Sequence, residues 1–426
     1  MSDTLRRIAV IGGSRIPFCR SNTAYSEKSN MDMLTGALQG VLDRHGLHGE
    51  KFDEVIAGAV TTHSRDWNLA REALLSTTMS PLTPGITLQQ ACGTSLQAAA
   101  MIGAKIACGQ IECGIAAGTD TTSDPPITFG PRFSKRLVKA GTARSAKQRL
   151  KAFKGFSPGE LKPVLPANGE PRTGLSMGQH CERMAREWKI AREDQDRLAL
   201  ESHQKAEQAY NEGFYDPLVM SWGGVMRDNN IRGDTSLEKL GSLRTAFAKD
   251  AEATLTAGNS TPLTDGAAAV LLASEDWAQA HDLPVQAYLT ATRTAAVVFV
   301  GDEGLLMAPT VAVAELLQQT GLALQDFDFY EIHEAFAAQV LCTLAAWESA
   351  DYCRDRLGLN APLGAIDRDK LNVKGSSLAV GHPFAATGAR ILGTLAHLLE
   401  EKGSGRGLIS VCTAGGMGVA AIVERP

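Results

Sequence analysis

The sequence predicts an α/β protein made of two similar halves around sheets with mixed strand directions. Three observations support this prediction. Short apolar stretches typical of strands alternate with longer stretches that have helical apolar spacing. The second half of the chain repeats the order of elements found in the first. Each half also contains a helix-like stretch with almost no polar face. Such alternation favours strands covered by helices over an all-α or all-β fold.

The first half begins with a regular alternation of strands and helices. Runs rich in Val, Ile and Ala that end at Gly or polar residues predict strands at 7–13, 52–60, 85–90 and 113–120. Apolar residues that recur every three or four positions predict helices at 31–46 and 68–79, followed by a small-residue helix after Cys92.

The second half repeats this plan in two places. Residues 310–337 are similar to residues 34–60, since both contain in order a helix, a turn with Gly, a short segment with acidic and aromatic residues, and a strand. Residues 379–416 parallel residues 89–120, since in both a reactive His or Cys precedes a helix rich in Ala and Gly. The repeat indicates an internal duplication.

The two helices rich in small residues have an unusual composition. A helix with little polar surface is buried on most sides. We therefore expect these two helices to form a central layer between two sheets, with the remaining helices outside. Their small residues are Ala98, Ala99, Ala100, Gly103, Ala104 and Ala107 in the first half, and Ala385, Ala386, Gly388, Ala389 and Gly393 in the second.

A long segment between the halves breaks the alternation. We predict an N-terminal half at 1–120, an inserted loop domain at 121–256, a return to the first half at 257–275 and a C-terminal half at 276–426. Within the insertion, residues 176–215 have the pattern of two helices joined at 190–192.

The insertion contains a strongly basic stretch. Nine Lys and Arg residues lie between Arg132 and Lys154, with no Asp or Glu among them. One interpretation is an ordinary solvated surface. The other interpretations make it a cationic surface that binds a phosphorylated ligand, an acidic partner protein or an anionic membrane. The sequence does not distinguish among these interpretations.

Composition and charge exclude several classes. The chain has 426 residues, 44% hydrophobic and 21% charged, with a net charge of −5, so the whole chain is not a nucleic-acid binder. Eight scattered cysteines without a Cys-x-x-Cys pair predict reduced thiols, a cytoplasmic protein and no resident metal. A phosphate-binding Gly-x-x-x-x-Gly-Lys loop is absent from the sequence.

Four reactive residues occur at matched places where strands meet helices. Cys92 precedes the first small-residue helix and His382 the second, while His333 and Cys412 each end a strand. Singly, each residue has an ordinary explanation as a core residue or a helix cap. Together they predict a catalytic site, with Cys92 as a thiolate whose pKa is lowered by a helix N-terminus. The Gly-rich backbone after Cys412 exposes N–H groups of the kind that form an oxyanion hole.

Five motifs carry a family resemblance. The stretches "ACGTSLQA", "GNSTPLTDGAAAV", "HEAFAAQ", "GHPFAATGAR" and "CTAGGMG" resemble the signatures of the thiolase family, in the family's order and over nearly the whole chain. The stretch "DNNIRGDTSL" and the His in "HEAFA" are most similar to the β-subunits of trifunctional enzymes of fatty-acid β-oxidation. The resemblance implies a five-layer αβαβα fold of two similar halves plus a loop domain. It also implies a homodimer or homotetramer, and a hydratase–dehydrogenase subunit as a further partner.

The resemblance also implies a role for each reactive residue. Cys92 would be the nucleophile, His382 the base that takes its proton, and Cys412 a second acid and base. His333 would hold a thioester oxygen together with His382 and a water. A second oxyanion hole would use the backbone N–H groups of Cys92 and Ala414.

The sequence departs from the family pattern at three positions. His333 replaces the Asn of most thiolases, and Ala414 and Ala385 stand where many relatives have Gly. Both alanines keep a backbone N–H, so we expect the oxyanion hole to survive. Because imidazole titrates near neutrality, we also expect His333 to be able to become a cation beside the oxyanion.

Coenzyme A is the expected co-substrate, and no permanently bound cofactor is expected. The resemblance implies that the loop domain binds coenzyme A. For Arg232, a loop salt bridge is the alternative to a contact with phosphate or adenine. The residues expected to line the channel are Met177, Arg232, Phe247, Thr261 and Phe336.

The function expected from this resemblance is that of a 3-ketoacyl-CoA thiolase. Biosynthetic acetoacetyl-CoA formation is the close alternative, because the reaction is reversible. A ketoacyl synthase would use Cys92, His333 and His382, but it would not need a second thiol at Cys412. The third alternative is a catalytically inactive lipid-binding relative, although the chain has all four reactive side chains.

Overall fold

The computed structural model describes residues 5–426 and contains twelve strands in that range. The four strands predicted in the first half are all found, and the one at Cys113–Asp120 matches its prediction at both ends. The strands are β1 Ile8–Arg15, β2 Cys19–Arg20, β3 Glu54–Gly58, β4 Gly85–Thr87, β5 Cys113–Asp120, β6 Thr128–Phe129, β7 Pro163–Val164, β8 Thr264–Ser274, β9 Ala287–Ala296, β10 Phe329–Ile332, β11 Gly405–Thr413 and β12 Met417–Arg425.

Fourteen α-helices lie in the same range, and three short 3₁₀ segments accompany them. The α-helices are α1 Asn30–His45, α2 Leu69–Leu75, α3 Thr94–Ala107, α4 Pro131–Gly141, α5 Ala146–Ala152, α6 Met177–Glu187, α7 Arg192–Asn211, α8 Leu237–Gly241, α9 Glu275–Ala280, α10 Ala308–Thr320, α11 Ala337–Glu348, α12 Ala350–Asp355, α13 Ser377–Val380 and α14 Thr387–Lys402. None of the helices in this described part is both long and apolar enough to cross a membrane.

The two halves have the same strand connections. The order of neighbouring strands is β1-β8-β5-β3 in the first half and β9-β12-β11-β10 in the second half. In each set the first two pairings are antiparallel and the last is parallel. The halves are joined where β1 pairs with β9, through Ala9 with Tyr288 and Val10 with Ala287. The predicted duplication and the predicted mixed strand directions are therefore confirmed. The strands of both halves form one continuous hydrogen-bonded sheet, because β1 pairs with β9.

Alternating residues of the strands supply the cores of separate layers. Along β8, Ala269 and Leu271 face α1 and α2, whereas Val270 and Leu272 face α3 and α14. Along β12, Ala421 faces the same central helices and Ile422 faces α10 and α11. This period of two is that of a strand buried on both faces. The result is five layers, αβαβα, as expected.

The two small-residue helices lie in the central layer. At Gly388 of α14 a Cβ atom would lie 2.4 Å from the backbone nitrogen of Leu96 in α3, so only Gly permits this approach. Because the two helices pack so closely, the residues before their N-termini, Cys92 and His382, come together.

The segment between β5 and β8 leaves the first half after Asp120 and re-enters it at Thr264. A buried ion pair ties this segment to β1, since both Nη atoms of Arg15 contact the carboxylate of Asp228 at 2.6 and 2.7 Å. Residues 127–165, which we call the basic module, contain β6, β7, α4 and α5. Neither of its helices buries a residue.

Candidate active site

Cys92 lies in a tight turn between β4 and α3. The preceding residue, Ala91, has a φ of +47°, which is unusual for a residue other than Gly. The Thr94 side chain holds the turn, since its Oγ1 accepts from the Gln90 N–H at 2.8 Å and donates to the Ala91 carbonyl at 2.7 Å. Backbone strain of this kind persists only where surrounding contacts over-determine it. The turn presents the sulfur of Cys92, which is partly exposed.

His382 contacts this sulfur directly. Its Nε2 lies 3.1 Å from Cys92 Sγ, its Nδ1 lies 2.6 Å from Thr387 Oγ1, and its backbone N–H donates to Thr264 Oγ1 at 2.7 Å. Burial and the nearby Arg390 lower the pKa of His382 to about 3. Burial raises the pKa of Cys92 to about 12, although backbone N–H groups oppose this rise.

These shifts correct one expectation from the sequence. Cys92 was expected to be a thiolate at a helix N-terminus, but the resting pair is a neutral thiol beside a neutral imidazole. Desolvation of the two charges outweighs the favourable backbone dipoles. The geometry suits transfer of the thiol proton to His382 Nε2 during attack, because the two atoms are already within hydrogen-bonding distance.

His333 directly follows β10 and lies against His382, with the ring centroids 4.1 Å apart. Its Nδ1 lies 2.8 Å from Ser377 Oγ, and its buried Nε2 has no hydrogen-bond partner in the part of the chain that the structure describes. Burial, His382 and Arg390 lower the pKa of His333 well below its usual range. The expected cationic form of His333 is therefore wrong, and the ring remains neutral.

A hydroxyl lies beside the Nδ1 atom of each imidazole. Arg390 donates to Ser377 Oγ at 2.7 Å, which leaves the Ser377 hydroxyl proton free to be donated to His333 Nδ1. We therefore assign the His333 proton to Nε2, which can then donate to a substrate oxygen. His382 needs the opposite tautomer, because its Nε2 must accept the Cys92 proton while its Nδ1 donates to Thr387.

Cys412 lies near the end of β11 and is 1% exposed. Burial and the neighbouring Cys92 raise its pKa well above the ordinary value, so it rests as a thiol. The turn that follows contains Gly415 and Gly416, both with positive φ. The backbone N–H groups of Ala414 and Cys92 both donate toward the sulfur of Cys92. The turn thus brings together the groups predicted for the second oxyanion hole.

Two further carboxylates fix the backbone around the site. Glu170 accepts the Gly415 N–H at 2.8 Å and so holds the turn after Cys412. The buried Asp120 accepts backbone N–H groups from Val60, Thr61 and Ala385 at 2.8 to 3.0 Å. Asp120 thereby joins the end of β5 to the turn that carries His382.

The five residues predicted to contact coenzyme A fall into three groups. Arg232 lines an open cavity of about 380 Å³ together with Arg20 and Lys239, and it makes no ion pair within residues 5–426. Met177, Phe247 and Phe336 instead belong to the apolar cluster that contains Cys412, where Phe247 and Phe336 meet edge to face at 5.8 Å.

Thr261 has a different position from the other four. Both its N–H and its hydroxyl donate to the Ala335 carbonyl at 3.1 Å, so it holds the backbone after His333, while its neighbours Ser260 and Pro262 line the cavity. No residue of the basic module lines this cavity. Within the predicted loop domain, only the part from His203 to its end reaches the cavity.

Three side chains of the site could also hold a metal ion. Cys92, His333 and His382 each offer a ligand atom, and these atoms lie within 4.8 Å of one another. This set combines a thiol with two neutral imidazoles, a combination that suits zinc.

The residues that support the site, Arg20, Asp120, Glu170, Ser377, Thr387 and Arg390, were not predicted from the sequence. Asp120, Glu170 and Ser377 contact partners that lie 44 or more residues away in the chain. Thr387 and Arg390 lie within the "GHPFAATGAR" stretch, but the stretch alone does not indicate their contacts with His382 and Ser377. The weak signal available was position, since Ser377 and Thr387 flank the "GHPF" stretch and Asp120 ends a predicted strand.

Comparisons with known proteins agree with this architecture. The chain matches the thiolase N-terminal domain over residues 8–276 and the thiolase C-terminal domain over residues 284–425. It is 40% identical over 424 residues to the 3-ketoacyl-CoA thiolase of Yersinia pestis, a match that covers 98% of this chain and 97% of that one.

Two solved structures are similar over their full length. Human mitochondrial 3-ketoacyl-CoA thiolase is 27% identical, with a TM-score of 0.80 over 99% of both chains. A thiolase from Ascaris suum, solved in complex with coenzyme A, is 25% identical, with a TM-score of 0.81 over 99% of this chain and 100% of that one. With both domain models matched in order and all four reactive residues gathered at one site, this chain belongs to the thiolase family.

Proposed function

We propose that this protein is a 3-ketoacyl-CoA thiolase, which cleaves a 3-ketoacyl-CoA with coenzyme A to give acetyl-CoA and an acyl-CoA shortened by two carbons. The observation that carries the proposal is the 3.1 Å contact between Cys92 Sγ and His382 Nε2, with a second buried thiol, Cys412, beside it. The name of the Yersinia relative supports the same activity.

In the first half-reaction Cys92 attacks the substrate's C3 carbonyl while His382 Nε2 takes the thiol proton. The C2–C3 bond then breaks, leaving the acyl group on Cys92 as a thioester. The departing enolate of acetyl-CoA takes a proton from the Cys412 thiol. The N–H groups of Cys92 and Ala414 stabilise the oxyanion on C3, and His333 Nε2 donates to the enolate oxygen.

In the second half-reaction coenzyme A replaces acetyl-CoA. Its thiol gives a proton to the Cys412 thiolate, and the resulting sulfur anion attacks the Cys92 thioester. Cys92 leaves as a thiolate and recovers the proton held by His382. Cys92, His382 and Cys412 each return to their starting protonation states, because the coenzyme A thiol proton replaces the one that Cys412 gave to acetyl-CoA, so no cofactor or oxidant is needed.

The alternative functions require different residues at the site. A ketoacyl synthase has no use for a second thiol, so Cys412 favours a thiolase. An inactive lipid-binding relative would not need the aligned proton path from Cys92 to His382. Acetoacetyl-CoA synthesis uses the same residues in reverse, and it remains the alternative direction for this site.

The open cavity supports coenzyme A as co-substrate. Arg20 and Arg232 give it two guanidinium groups that suit the phosphates of a nucleotide, whereas Lys239 pairs with Asp234, which also lines the cavity. Met177, Phe247 and Phe336 give the apolar surface near Cys412 that a pantetheine arm or acyl chain would need.

We propose in addition that the protein forms a homodimer or homotetramer. The outer edge of β4 has no strand partner in the described part of the chain, and apolar side chains lie beside it. Leu82 is 74% exposed and Trp67 is 93% exposed. An exposed strand edge with apolar neighbours suits pairing with a second copy. A hydratase–dehydrogenase subunit remains a proposed partner on the strength of the family resemblance alone.

Of the interpretations of the basic segment, an anionic membrane surface is the one we propose. Arg136 is engaged internally, with Glu160 and three backbone carbonyls, while the neighbouring lysines remain in solvent. Apolar side chains are exposed on the same module, including Leu150 at 76% and Val138 at 65%. Cations interleaved with exposed apolar side chains favour a lipid surface over a soluble phosphorylated ligand.

The first test of the proposed function is coenzyme A-dependent cleavage of acetoacetyl-CoA. The wild type should be active, and mass spectrometry after incubation with acetyl-CoA should locate an acetyl group on Cys92. Cys92→Ser should abolish turnover with an unchanged fold, because an alkoxide forms far less readily than a thiolate. Cys108→Ser, which removes an exposed thiol, is the matched control and should be fully active. Acetylation of another cysteine with Cys92 free would contradict the assignment.

A further inference from the structure

The donor atoms of three active-site residues converge on one point. His382 Nε2 lies 3.1 Å from Cys92 Sγ, and the ligand atom of His333 lies within 4.8 Å of both. The Nδ1 of His333 is already bonded to Ser377, so the buried Nε2, which has no hydrogen-bond partner among residues 5–426, is the nitrogen left free to bind a ligand.

Both imidazoles are held as metal-ligating histidines usually are. In metal sites the second ring nitrogen contacts an outer group that fixes the orientation of the ring. Here Ser377 Oγ contacts His333 Nδ1 at 2.8 Å, and Thr387 Oγ1 contacts His382 Nδ1 at 2.6 Å.

The spacing is close to that of a tetrahedral zinc site. With Zn–N bonds of about 2.0–2.1 Å and a Zn–S bond of about 2.3 Å, tetrahedral ligand atoms are roughly 3.3–3.6 Å apart. The pair formed by Cys92 and His382 is already near this separation. His333 would need to move by at most about 1.5 Å to complete the set.

We propose that Cys92, His333 and His382 form a reversible inhibitory site for one thiophilic divalent cation of the Zn²⁺ class. Binding forms one bond from the metal to Cys92 Sγ and one to each Nε2, and it releases the Cys92 thiol proton to solvent. On His333 the ring proton moves from Nε2 to Nδ1, where Ser377 Oγ accepts it, because a hydroxyl can donate or accept. A water completes the fourth position, as in three-ligand zinc sites.

The ion in this proposal is an inhibitor rather than a cofactor. It occupies the lone pairs that the nucleophile and the base need, so a loaded chain cannot be acylated. His333 is the residue that creates the site, since an Asn amide at this position would leave only two good ligands. The proposal does not rest on the proposed function, because the three side chains would coordinate the ion whether or not the chain turns over substrate.

The test is a titration of the full-length protein with Co²⁺ as a spectroscopic probe and Zn²⁺ as a competitor. Wild type should bind one Co²⁺ per chain, with a thiolate-to-cobalt charge-transfer band that Zn²⁺ abolishes. Cys92→Ser should lose the band. His333→Asn should bind at least tenfold more weakly, because loss of even an outer-shell partner costs about 10–100-fold. Cys108→Ser should bind as the wild type does.

A second measurement avoids dependence on the folding of the variants. Wild-type protein alkylated at Cys92 with iodoacetamide should lose the band, and prior Zn²⁺ should slow that alkylation until a chelator is added. A band of equal strength in Cys92→Ser and His333→Asn would place the ion elsewhere and overturn the proposal. Wild-type protein that shows no thiolate-to-cobalt band would overturn it as well.

Discussion

His333 and His382 show how one residue type acquires two roles from the hydroxyl beside it. Ser377 already accepts from Arg390, so it donates to His333 and leaves the proton of that ring on Nε2. Thr387 instead accepts from His382, which leaves Nε2 of that ring free to take the Cys92 proton. Burial keeps both rings neutral. One imidazole therefore donates a hydrogen bond and the other acts as a base.

This assignment predicts how kcat depends on pH. His382 becomes charged only near pH 3, and Cys92 loses its proton only near pH 12. The reactive thiol–imidazole pair therefore persists between these values. Burial raises the pKa of Asp120, which holds the Ala385 N–H beside His382, to about 6. We expect kcat to be flat from about pH 7 to 9 and to fall below about pH 6 as Asp120 is protonated and its contacts weaken. A steady-state profile with a limb between pH 7 and 9 would contradict the assignment of a neutral thiol beside a neutral imidazole.

Substitutions at His333 test its role as a donor. His333→Asn should keep measurable activity, because an amide N–H can donate to the same oxygen. His333→Ala should lose about a hundredfold or more in kcat, the usual cost of removing one oxyanion donor. The pH profile of the Asn variant should stay flat from about pH 7 to 9. If both variants cleaved acetoacetyl-CoA nearly as fast as wild type, His333 would be a packing residue.

The reactive residues were predictable from sequence, but their supporting contacts were not. Cys92, His333, His382 and Cys412 each lie at or near the end of a strand or shortly before a helix, and such junctions can be identified from local patterns. Their protonation states depend on burial and on Arg390, neither of which a motif reveals. The predicted thiolate and the predicted cationic imidazole failed for that reason.

At the scale of elements, the strand and helix patterns were reliable wherever the period was regular. The helix predicted at 31–46 is found at Asn30–His45, and the strand predicted at 113–120 is β5 itself. The pairing of β1 with β9 could not be predicted, because two pairs of residues carry no periodic signal. The contact of Glu170 with Gly415 was equally hidden, because it joins residues 245 positions apart.

The hydrogen bond from the Gly415 N–H to the Glu170 carboxylate makes Glu170 a positioning residue for the turn after β11. Glu170→Ala should free the turn and misplace the Ala414 N–H, lowering kcat by roughly tenfold, less than complete removal of an oxyanion donor. Glu170→Gln should restore most of the activity, because its carbonyl oxygen can still accept from Gly415. Acetylation of Cys92 by acetyl-CoA should slow in parallel with cleavage. Equal losses in both variants, with altered circular dichroism, would indicate a structural role instead.

At the scale of the whole molecule, the duplication explains the location of the site. Two copies of one strand order present two small-residue helices to each other, and their close packing brings Cys92 against His382. The predicted boundaries of the loop domain remain predictions. Within that domain the basic module is separate from the open cavity, because none of its residues lines the cavity and its two helices bury no residue.

The basic module should therefore be dispensable for catalysis. β6 pairs with β7 through Thr128 with Val164 and Phe129 with Pro163, so the two ends of the module are adjacent and a short Gly-Ser linker can replace residues 128–164. We expect the shortened chain to keep kcat within about twofold and Tm within about 2 °C, since little buried apolar surface is lost. It should also lose co-sedimentation with vesicles containing anionic lipid, while neutral vesicles bind neither form. A collapse of kcat at unchanged Tm would place the module in the catalytic site. Retained binding to anionic vesicles would move the membrane contact to another surface.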